Sequence, residues 1–448
     1  MTKGPLVGPL VRFILPLIGG SIFQQLYNTV DFLFVGNFLD KTAAAAVGAS
    51  ATLITITIGL FTGISVGTSV VAAQAIGAGN RERAEKALHS SVLFGLVGGV
   101  VIMALGLLLS PAILRALRTP EEVMPQALVY LRIYLLSIPM VIFYNMVTGG
   151  MRTYGDTRTP FLILVVCGIL NVGLDALFIV VIPLGVAGVA IATCITQSLS
   201  ALAVGFFASR PGTPLRLERK KLRMDGKVLR MVLFLGLPTG IQTIIITFSN
   251  IMVQYYINDF GATAVAAFAT YYKVENFVYL PIMALGQAAT TLAGQNTGAG
   301  HFRRLRKGTA IMAFAGSIVV ACLAGTVLLN APMVYGWFIK DPEVVAVTVA
   351  IASVSFPFYW IYPFLEVTGG SVRGMGYSLH SMAVIILNLC VIRVSLLAVF
   401  SRTYHTVRSL AAVYPITWAG AALCFIVLFS VIISKKIRQE TLDEREAV

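Results

Sequence analysis

The chain has 448 residues, of which 57% are apolar and only 12% are charged, and its mean hydropathy is +0.87. Soluble proteins use about 25% charged residues, so this chain lacks the charge to cover a water-facing surface. This composition excludes an ordinary soluble protein and indicates one that crosses a lipid bilayer many times. The net charge of +14 does not indicate nucleic-acid binding, because the basic residues lie mostly in short loops between apolar runs, as topology determinants do.

Twelve apolar runs are each close to the ~20 residues that a helix needs to span a bilayer. In chain order they lie at residues 13–36, 47–73, 89–111, 126–148, 160–182, 185–207, 231–258, 263–290, 309–330, 345–368, 381–400 and 409–433. The longest polar stretch, rich in Arg and Lys, follows the sixth run. These features predict an all-α polytopic membrane protein with twelve transmembrane helices.

The two halves of the chain repeat one another at a nearly constant displacement. Gln74-Ala-Ile-Gly-Ala-Gly79 recurs as Gln295-Asn-Thr-Gly-Ala-Gly300, and Val147-Thr-Gly-Gly150 recurs as Val367-Thr-Gly-Gly370. Six spans per half is an even number, so both halves enter the membrane in the same direction, as in transporters with parallel repeats. We predict two pseudo-symmetric six-helix bundles, an N-terminal lobe at 1–208 and a C-terminal lobe at 229–448, joined by a linker at 209–228.

The distribution of Lys and Arg predicts the orientation. The two termini and the even-numbered loops together carry 24 of the 33 basic residues, whereas the odd-numbered loops carry six. Cytoplasmic loops are enriched in Lys and Arg. Both termini and the linker are therefore expected in the cytoplasm.

Polar residues inside the spans of the first half are the main candidates for function, because an acid at mid-membrane costs at least ~2.5 kcal/mol. They share helix faces at three- and four-residue spacings. In the first span they are Gln24, Asn28 and Asp31, in the fifth Asn171 and Asp175, and in the sixth Thr193, Thr196 and Gln197. If these helices meet, their oxygens suit a small hard cation such as Na⁺, and the acids equally suit a proton. The alternative is that both acids lie near the membrane surfaces and are merely solvated or paired.

The second half carries a different set of charges. Glu275 lies in the eighth span, Glu366 in the tenth and Arg393 in the eleventh. Arg393 paired with Glu366 or Glu275 would form a structural salt bridge. The alternative is that these charges take part in coupling or attract cationic substrates.

Other kinds of chemistry find little support in the residue pattern. The five cysteines lie in apolar segments without metal-ligand spacing, and no complete phosphate-binding motif is present. We therefore expect no cofactor beyond a coupling Na⁺ or H⁺, and no ATP-driven transport by this chain alone. An intramembrane lipid-modifying enzyme is a less favoured alternative, because the four histidines are scattered. A channel is also less favoured than a carrier, because the buried acids cluster in one half only.

Five segments together resemble the multidrug and toxic compound extrusion (MATE) family, in particular the prokaryotic branch named after the DNA-damage-inducible protein F. They are Gln25-Leu-Tyr-Asn-Thr-Val-Asp31, Gly67 to Gly79, Thr148-Gly-Gly-Met-Arg152 with Gly155-Asp-Thr157, Asn171-Val-Gly-Leu-Asp175, and Gly294-Gln-Asn-Thr-Gly-Ala-Gly300. The resemblance covers essentially the whole chain.

This resemblance implies an alternating-access antiporter in a prokaryotic inner membrane that exports small organic compounds in exchange for Na⁺ or H⁺. It implies a cation site at Asp31, Asn171, Asp175 and Thr193, and it matches Glu275 to a Glu of the eighth helix in relatives. The expected partners are small organic substrates and membrane lipid, with no nucleic acid, and the protein is expected to act as a monomer. A flippase for lipid-linked oligosaccharides, from the same superfamily, is the alternative.

Overall fold

The computed structural model describes the backbone of residues 1–446, and the side chains of these except at residues 28, 52 and 443–446. This part of the chain contains no strand, and twelve of its helices are long and apolar enough to cross a membrane. They are α1 (Val7–Phe38), α2 (Lys41–Gly77), α3 (Arg81–Ala116), α4 (Met124–Thr153), α5 (Arg158–Val181), α6 (Val186–Ser209), α7 (Gly226–Asn258), α8 (Gly261–Gly298), α9 (Phe302–Leu329), α10 (Pro342–Gly374), α11 (Ser378–Thr403) and α12 (Val407–Glu446). The prediction of an all-helical protein with twelve spans is confirmed.

Three of the spans depart from regular α-helix. The last six residues of α5, Ala176–Val181, form a π-helical turn, and α11 contains another at Leu387–Ile392. In α10 a 3₁₀ segment, Phe356–Ile361, includes Pro357, whose missing N–H breaks the α-helical bonding there. Pro139 of α4, by contrast, lies inside a continuous α-helix.

The chain divides into two compact units, each with its own apolar core. One unit consists of Val11–Ile76 and Asn80–Gly240, and its fully buried side chains include Leu131 and Ile138. The other consists of Met1–Leu10, Gly77–Gly79 and the described chain from Ile241 onward. Its core is more aromatic and buries Tyr271 and Trp418 completely.

The repeated Val-Thr-Gly-Gly motif marks a close helix contact in each unit. At Gly149 in α4 a Cβ atom would collide with Ser65 of α2, whose hydroxyl donates to Asn145 O at 2.5 Å. At Gly370 in α10 it would collide with the carbonyl oxygen of Gly286 in α8. The motif therefore repeats because each half needs the same near-contact of two backbones.

A second close contact joins α2 to the start of α7 within the first unit. Gly63 and Gly67 of α2 pack against Gly236 and Gly240 of α7, and a Cβ at Gly236 would lie 2.6 Å from the Cα of Ile64. All four positions must be glycine for the backbones to approach this closely. The first unit therefore extends past the sixth span into the seventh helix.

The linker after α6 folds back onto the first unit. Leu215 and Leu217 are buried in its core, and Leu217 N–H donates to Ala208 O at 2.9 Å. His89 of α3 accepts a hydrogen bond at Nε2 from Glu218 N–H at 3.0 Å, and Ser90 Oγ accepts one from Asp225 N–H at 2.9 Å. The linker is thus fixed along the N-terminal end of α3.

Candidate functional site

The polar face of α5 ends where the π-helical turn begins. Asp175 is the last α-helical residue before that turn, and Asn171 lies one turn earlier on the same face. Asp175 is completely buried and Asn171 is 2% exposed. Among the described side chains, neither the amide of Asn171 nor either carboxyl oxygen of Asp175 has a hydrogen-bond partner. Buried polar groups in this state require a ligand, a water or a proton.

Asp31 of α1 completes a pair of carboxyl groups with Asp175. Asp31 is half-buried, and its carboxyl group lies within reach of that of Asp175. Two ionised carboxylates cannot donate to each other, and no donor of the described side chains reaches Asp31 Oδ1 or either Asp175 oxygen. Two ionised carboxylates this close repel strongly in a medium of low dielectric constant. The pair therefore needs a cation or a shared proton.

The threonines predicted on α6 are buried but already bonded within their own helix. Thr193 Oγ1 donates to Val189 O at 3.0 Å, and Thr196 Oγ1 donates to Ala192 O at 2.9 Å. A hydroxyl whose proton is already used in such a hydrogen bond still has oxygen lone pairs that can bind a cation. Helix α6 packs against α5, the helix that carries Asn171 and Asp175.

The supporting polar residues are only partly brought to the site. Gln197 of α6 donates from Nε2 to the hydroxyl of Tyr27 in α1 at 3.4 Å, which links these two helices. Gln24 is exposed, although it interacts with the same tyrosine. The side chain of Asn28 lies outside the described part of the chain.

Tyrosines that the sequence pattern did not single out lie beside the carboxyl pair. Tyr130 and Tyr134 of α4 are 7% and 8% exposed, and their rings stack with centroids 6.2 Å apart. Tyr130 lies close enough to Asp31 and Asp175 to interact with both electrostatically. Their four-residue spacing puts them on one face of α4, but nothing in the sequence shows that this face meets the two acids.

The oxygens of Asp31, Asn171 and Asp175 suit a small hard cation in both number and chemical type. Carboxylate and amide oxygens are ligands that hard cations prefer, whereas softer metals prefer Cys and His. The described residues include no group of three or more His, Cys, Asp or Glu that could hold a metal ion. The arrangement therefore fits a monovalent cation or a proton better than a resident transition metal.

The charges of the second unit are arranged differently from the predicted pairing. Glu366 pairs with Arg373 at 3.5 Å, and Arg373 also donates to Ser381 Oγ at 3.4 Å. The direct salt bridge considered for Arg393 is not formed in the structure, because neither Glu366 nor Glu275 lies within 4.0 Å of its guanidinium. Its guanidinium lies instead 5.1 Å from the ring centroid of Tyr414.

Glu275 is held by the aromatic core of the second unit. Its Oε1 accepts a hydrogen bond from the hydroxyl of Tyr359 at 2.8 Å, and its side chain is half-buried. Glu366 does not share this contact. Its carboxylate pairs instead with Arg373, which lies two turns further along α10. The two acids of this unit therefore have separate partners.

Known proteins resemble this chain over nearly its whole length. The MatE family description matches residues 16–177 and 238–399. "Probable multidrug resistance protein YoeA" of Bacillus subtilis (strain 168) is 27% identical over 434 residues, which cover 95% of this chain and 93% of that protein. "Multidrug export protein MepA" of Staphylococcus aureus (strain NCTC 8325 / PS 47) is 22% identical and covers 79% of this chain and 78% of its own.

Solved structures share the fold as well. The structure described as "Crystal structure of MATE in the straight conformation" superposes with a TM-score of 0.93 at 23% sequence identity, over 98% of both chains. A second, described as an outward-facing multidrug resistance MATE family transporter, superposes with a TM-score of 0.91 at 24% identity, also over 98% of both. Because the MatE description covers most of both halves, the chain belongs to the MatE family, and it is a membrane transporter of the multidrug and toxic compound extrusion class and not an enzyme.

Proposed function

We propose that this protein is a secondary antiporter that exports small organic, often cationic and amphipathic, compounds in exchange for Na⁺ or H⁺ by alternating access. The observation that carries the proposal is the pair of carboxyl groups on α1 and α5. Asp31 and Asp175 approach each other without any donor in the described part of the chain. A site of this kind is stable when loaded with a cation or proton and repulsive when empty, which supplies the energetic basis for coupling.

The substrate class comes from the named relatives. Proteins described as multidrug resistance and multidrug export proteins match this chain over 95% and 79% of its length. The proposal extends their printed activity to this chain.

The membrane arrangement is part of the same proposal. We place both termini and the linker 209–228 in the cytoplasm of a prokaryotic cell, with the lobes 1–208 and 229–448 in its inner membrane. The excess of Lys and Arg in the even-numbered loops and termini supports this orientation. One chain carries both halves, and we propose that it functions as a monomer.

The proposal is tested with purified protein in proteoliposomes. Movement of a fluorescent organic cation such as ethidium is followed while a Na⁺ gradient and a pH gradient are imposed separately. We expect one of the two gradients to drive transport, and Asp31→Asn and Asp175→Asn each to abolish the driven component. Each substitution removes a carboxylate that would bind and release the coupling cation or proton.

Asp40→Asn is the matched control, because Asp40 is exposed at the start of α2 and the amide oxygen retains its capping bond to Ala43 N–H. This variant should transport as the unchanged protein does. Full gradient-driven transport by both site variants would overturn the proposed coupling site. If the protein transports lipid-linked oligosaccharide and responds to neither gradient, it is a flippase and the proposed antiport is wrong.

A further inference from the structure

The two units balance their membrane charges in opposite ways. In the first unit Asp31 and Asp175 face each other, and no Lys or Arg of the described chain pairs with either. In the second unit, helices α8, α10 and α11 carry four charged residues that are buried or half-buried, namely Glu275, Glu366, Arg373 and Arg393. Glu366 takes Arg373 as its direct partner at 3.5 Å. This leaves Glu275 and Arg393.

Arg393 is a buried cation that forms no ion pair with any described carboxylate. Arg393 is the first residue of the helical segment that follows the π-helical turn of α11, and it is 4% exposed. Within the described part of the chain its Nε has no hydrogen-bond acceptor, and no carboxylate lies within 4.0 Å of its guanidinium. Arginine stays charged in proteins, so some other charge must offset the loss of hydration.

Glu275 is the acid left to offset that charge. Tyr272 lies three residues before Glu275 on the same face of α8, and its partner Tyr414 lies under Arg393. The two charges therefore border one cluster of tyrosines and attract each other across it. Tyrosines fill the space around both groups. Tyr359 donates to Glu275 at 2.8 Å, and Tyr414, whose ring faces Arg393, shares a 2.5 Å hydrogen bond with Tyr272. The aromatic face of Tyr414 offers only a weak attraction to a cation, far less than an ionic partner offers.

We propose that Arg393 is a fixed counter-ion for Glu275, which keeps the C-terminal half from taking up a mobile cation and leaves coupling to the N-terminal half alone. The inference rests on the proposed cation-coupled function and deepens it, since it assigns the coupling charge to one half. In the first unit two acids need a charge from solution. In the second unit the protein supplies that charge on its own side chain.

The first experiment counts bound cations on the purified full-length protein in detergent. Binding of ²²Na⁺ is measured at equilibrium, and proton uptake is measured in parallel with a pH indicator in weak buffer. We expect Arg393→Gln to bind about one cation more per chain than the unchanged protein, because Glu275 then lacks its counter-ion. The additional cation should be absent in the Glu275→Gln/Arg393→Gln double variant and in Arg393→Lys, which retains the charge.

Glu275→Gln alone should bind as many cations as the unchanged protein. An equal cation count in Arg393→Gln and the unchanged protein would overturn the proposal. A lower count in Glu275→Gln would overturn it too, since the acid would then bind a mobile cation despite Arg393.

Thermal unfolding of the same variants tests whether Glu275 and Arg393 interact. This test compares unfolding temperatures, so a destabilised variant still gives a result. Each single neutralisation leaves a buried charge uncompensated, whereas the double variant removes both. We expect the double variant to unfold at a temperature closer to that of the unchanged protein than either single variant does. If the two single effects simply add, Glu275 and Arg393 are not coupled.

The outcomes for the two proposals can be told apart. If neither gradient drives efflux in proteoliposomes, the proposed antiport fails, whatever the cation counts of the Arg393 variants. If a gradient drives efflux that depends on Asp175, but Arg393→Gln gains no cation, only the counter-ion assignment fails.

Discussion

At the scale of single residues, the first unit brings carboxyl groups of two spans together without a donor from the described side chains. Asn171 and Asp175 occupy one buried face of α5, and Asp31 of α1 meets it. Thr193 differs from these, because its hydroxyl is satisfied as a donor by Val189 O at 3.0 Å. Its remaining capacity is that of an acceptor, so any part it takes in the site is as a ligand oxygen.

This assignment predicts the behaviour of Thr193→Val, which preserves shape and removes the oxygen. We expect the cation concentration at half-maximal efflux to rise roughly tenfold, the equivalent of about 1.4 kcal/mol, and Thr193→Ser to restore it. The measurement is efflux from proteoliposomes against cation concentration.

The matched control is Thr348→Val in the second unit. Thr348 is buried like Thr193 and also donates to its own helix, to Val344 O at 2.7 Å. It should leave the cation dependence unchanged. Equal effects of the two valine variants would show that the oxygen of Thr193 matters for packing and not for the cation.

At the scale of elements, segments that read as connections turn out to be packed parts of the fold. The linker after α6 was predicted only as a polar joint between halves. It is in fact fixed to α3 by His89 and Ser90, and Lys221 pairs with Glu85 at 3.1 Å. Its mobility therefore depends on a few named contacts.

Substitution of His89 tests this attachment. In His89→Leu the N–H of Glu218 loses its acceptor, which costs about 1–3 kcal/mol when the group stays buried. We expect trypsin to cut within Arg219–Lys221 roughly tenfold faster than in the unchanged protein, as the cleavage rate follows local opening. His89→Gln, which retains an acceptor, should stay close to the unchanged rate. Identical cleavage of the leucine variant would mean that the apolar contacts of the linker alone hold it in place.

The close contact of α2 and α4 gives a second test at this scale. Gly149→Ala would drive a methyl group into Ser65 and force the two helices apart, at a cost of about 1–3 kcal/mol. We expect a lower unfolding temperature in detergent. Gly325→Ala in α9 is the control, because nothing lies within 4 Å of its Cβ position, and alanine is the better helix former. A Gly149→Ala protein as stable as the control would show that the contact relaxes easily.

At the scale of the whole molecule, the distribution of basic residues predicts which loops face the cytoplasm. The test uses single cysteines in a background without the five native ones. In intact cells a membrane-impermeant maleimide should label Lys340→Cys, between α9 and α10, and should leave Lys220→Cys in the linker unlabelled. Both positions are exposed, so burial cannot explain a difference. The opposite labelling pattern would reverse the proposed orientation.

Apolar run length and the internal repeat were enough to predict the twelve spans, because lipid imposes both on the sequence. The acids on α1 and α5 were predictable for the same reason, since Asp31 and Asp175 are costly in lipid. The contact of Arg393 with the ring of Tyr414 was not predictable. Helical spacing says which residues share a face of one helix, but Arg393 meets Tyr414 of another helix. Tyr130 was missed because a tyrosine is unremarkable in an apolar span until its neighbours are known.

The contact of Gly63 and Gly67 with Gly236 and Gly240 has a consequence for synthesis of the protein. A ribosome that has completed the first six spans has not yet translated the glycines of α7, so the glycine face of α2 is still uncovered in the bilayer. The first unit can finish packing only after about 240 residues have been made, when the second half has already begun to insert. A fragment cut at the end of α6 would therefore lack part of its own interior.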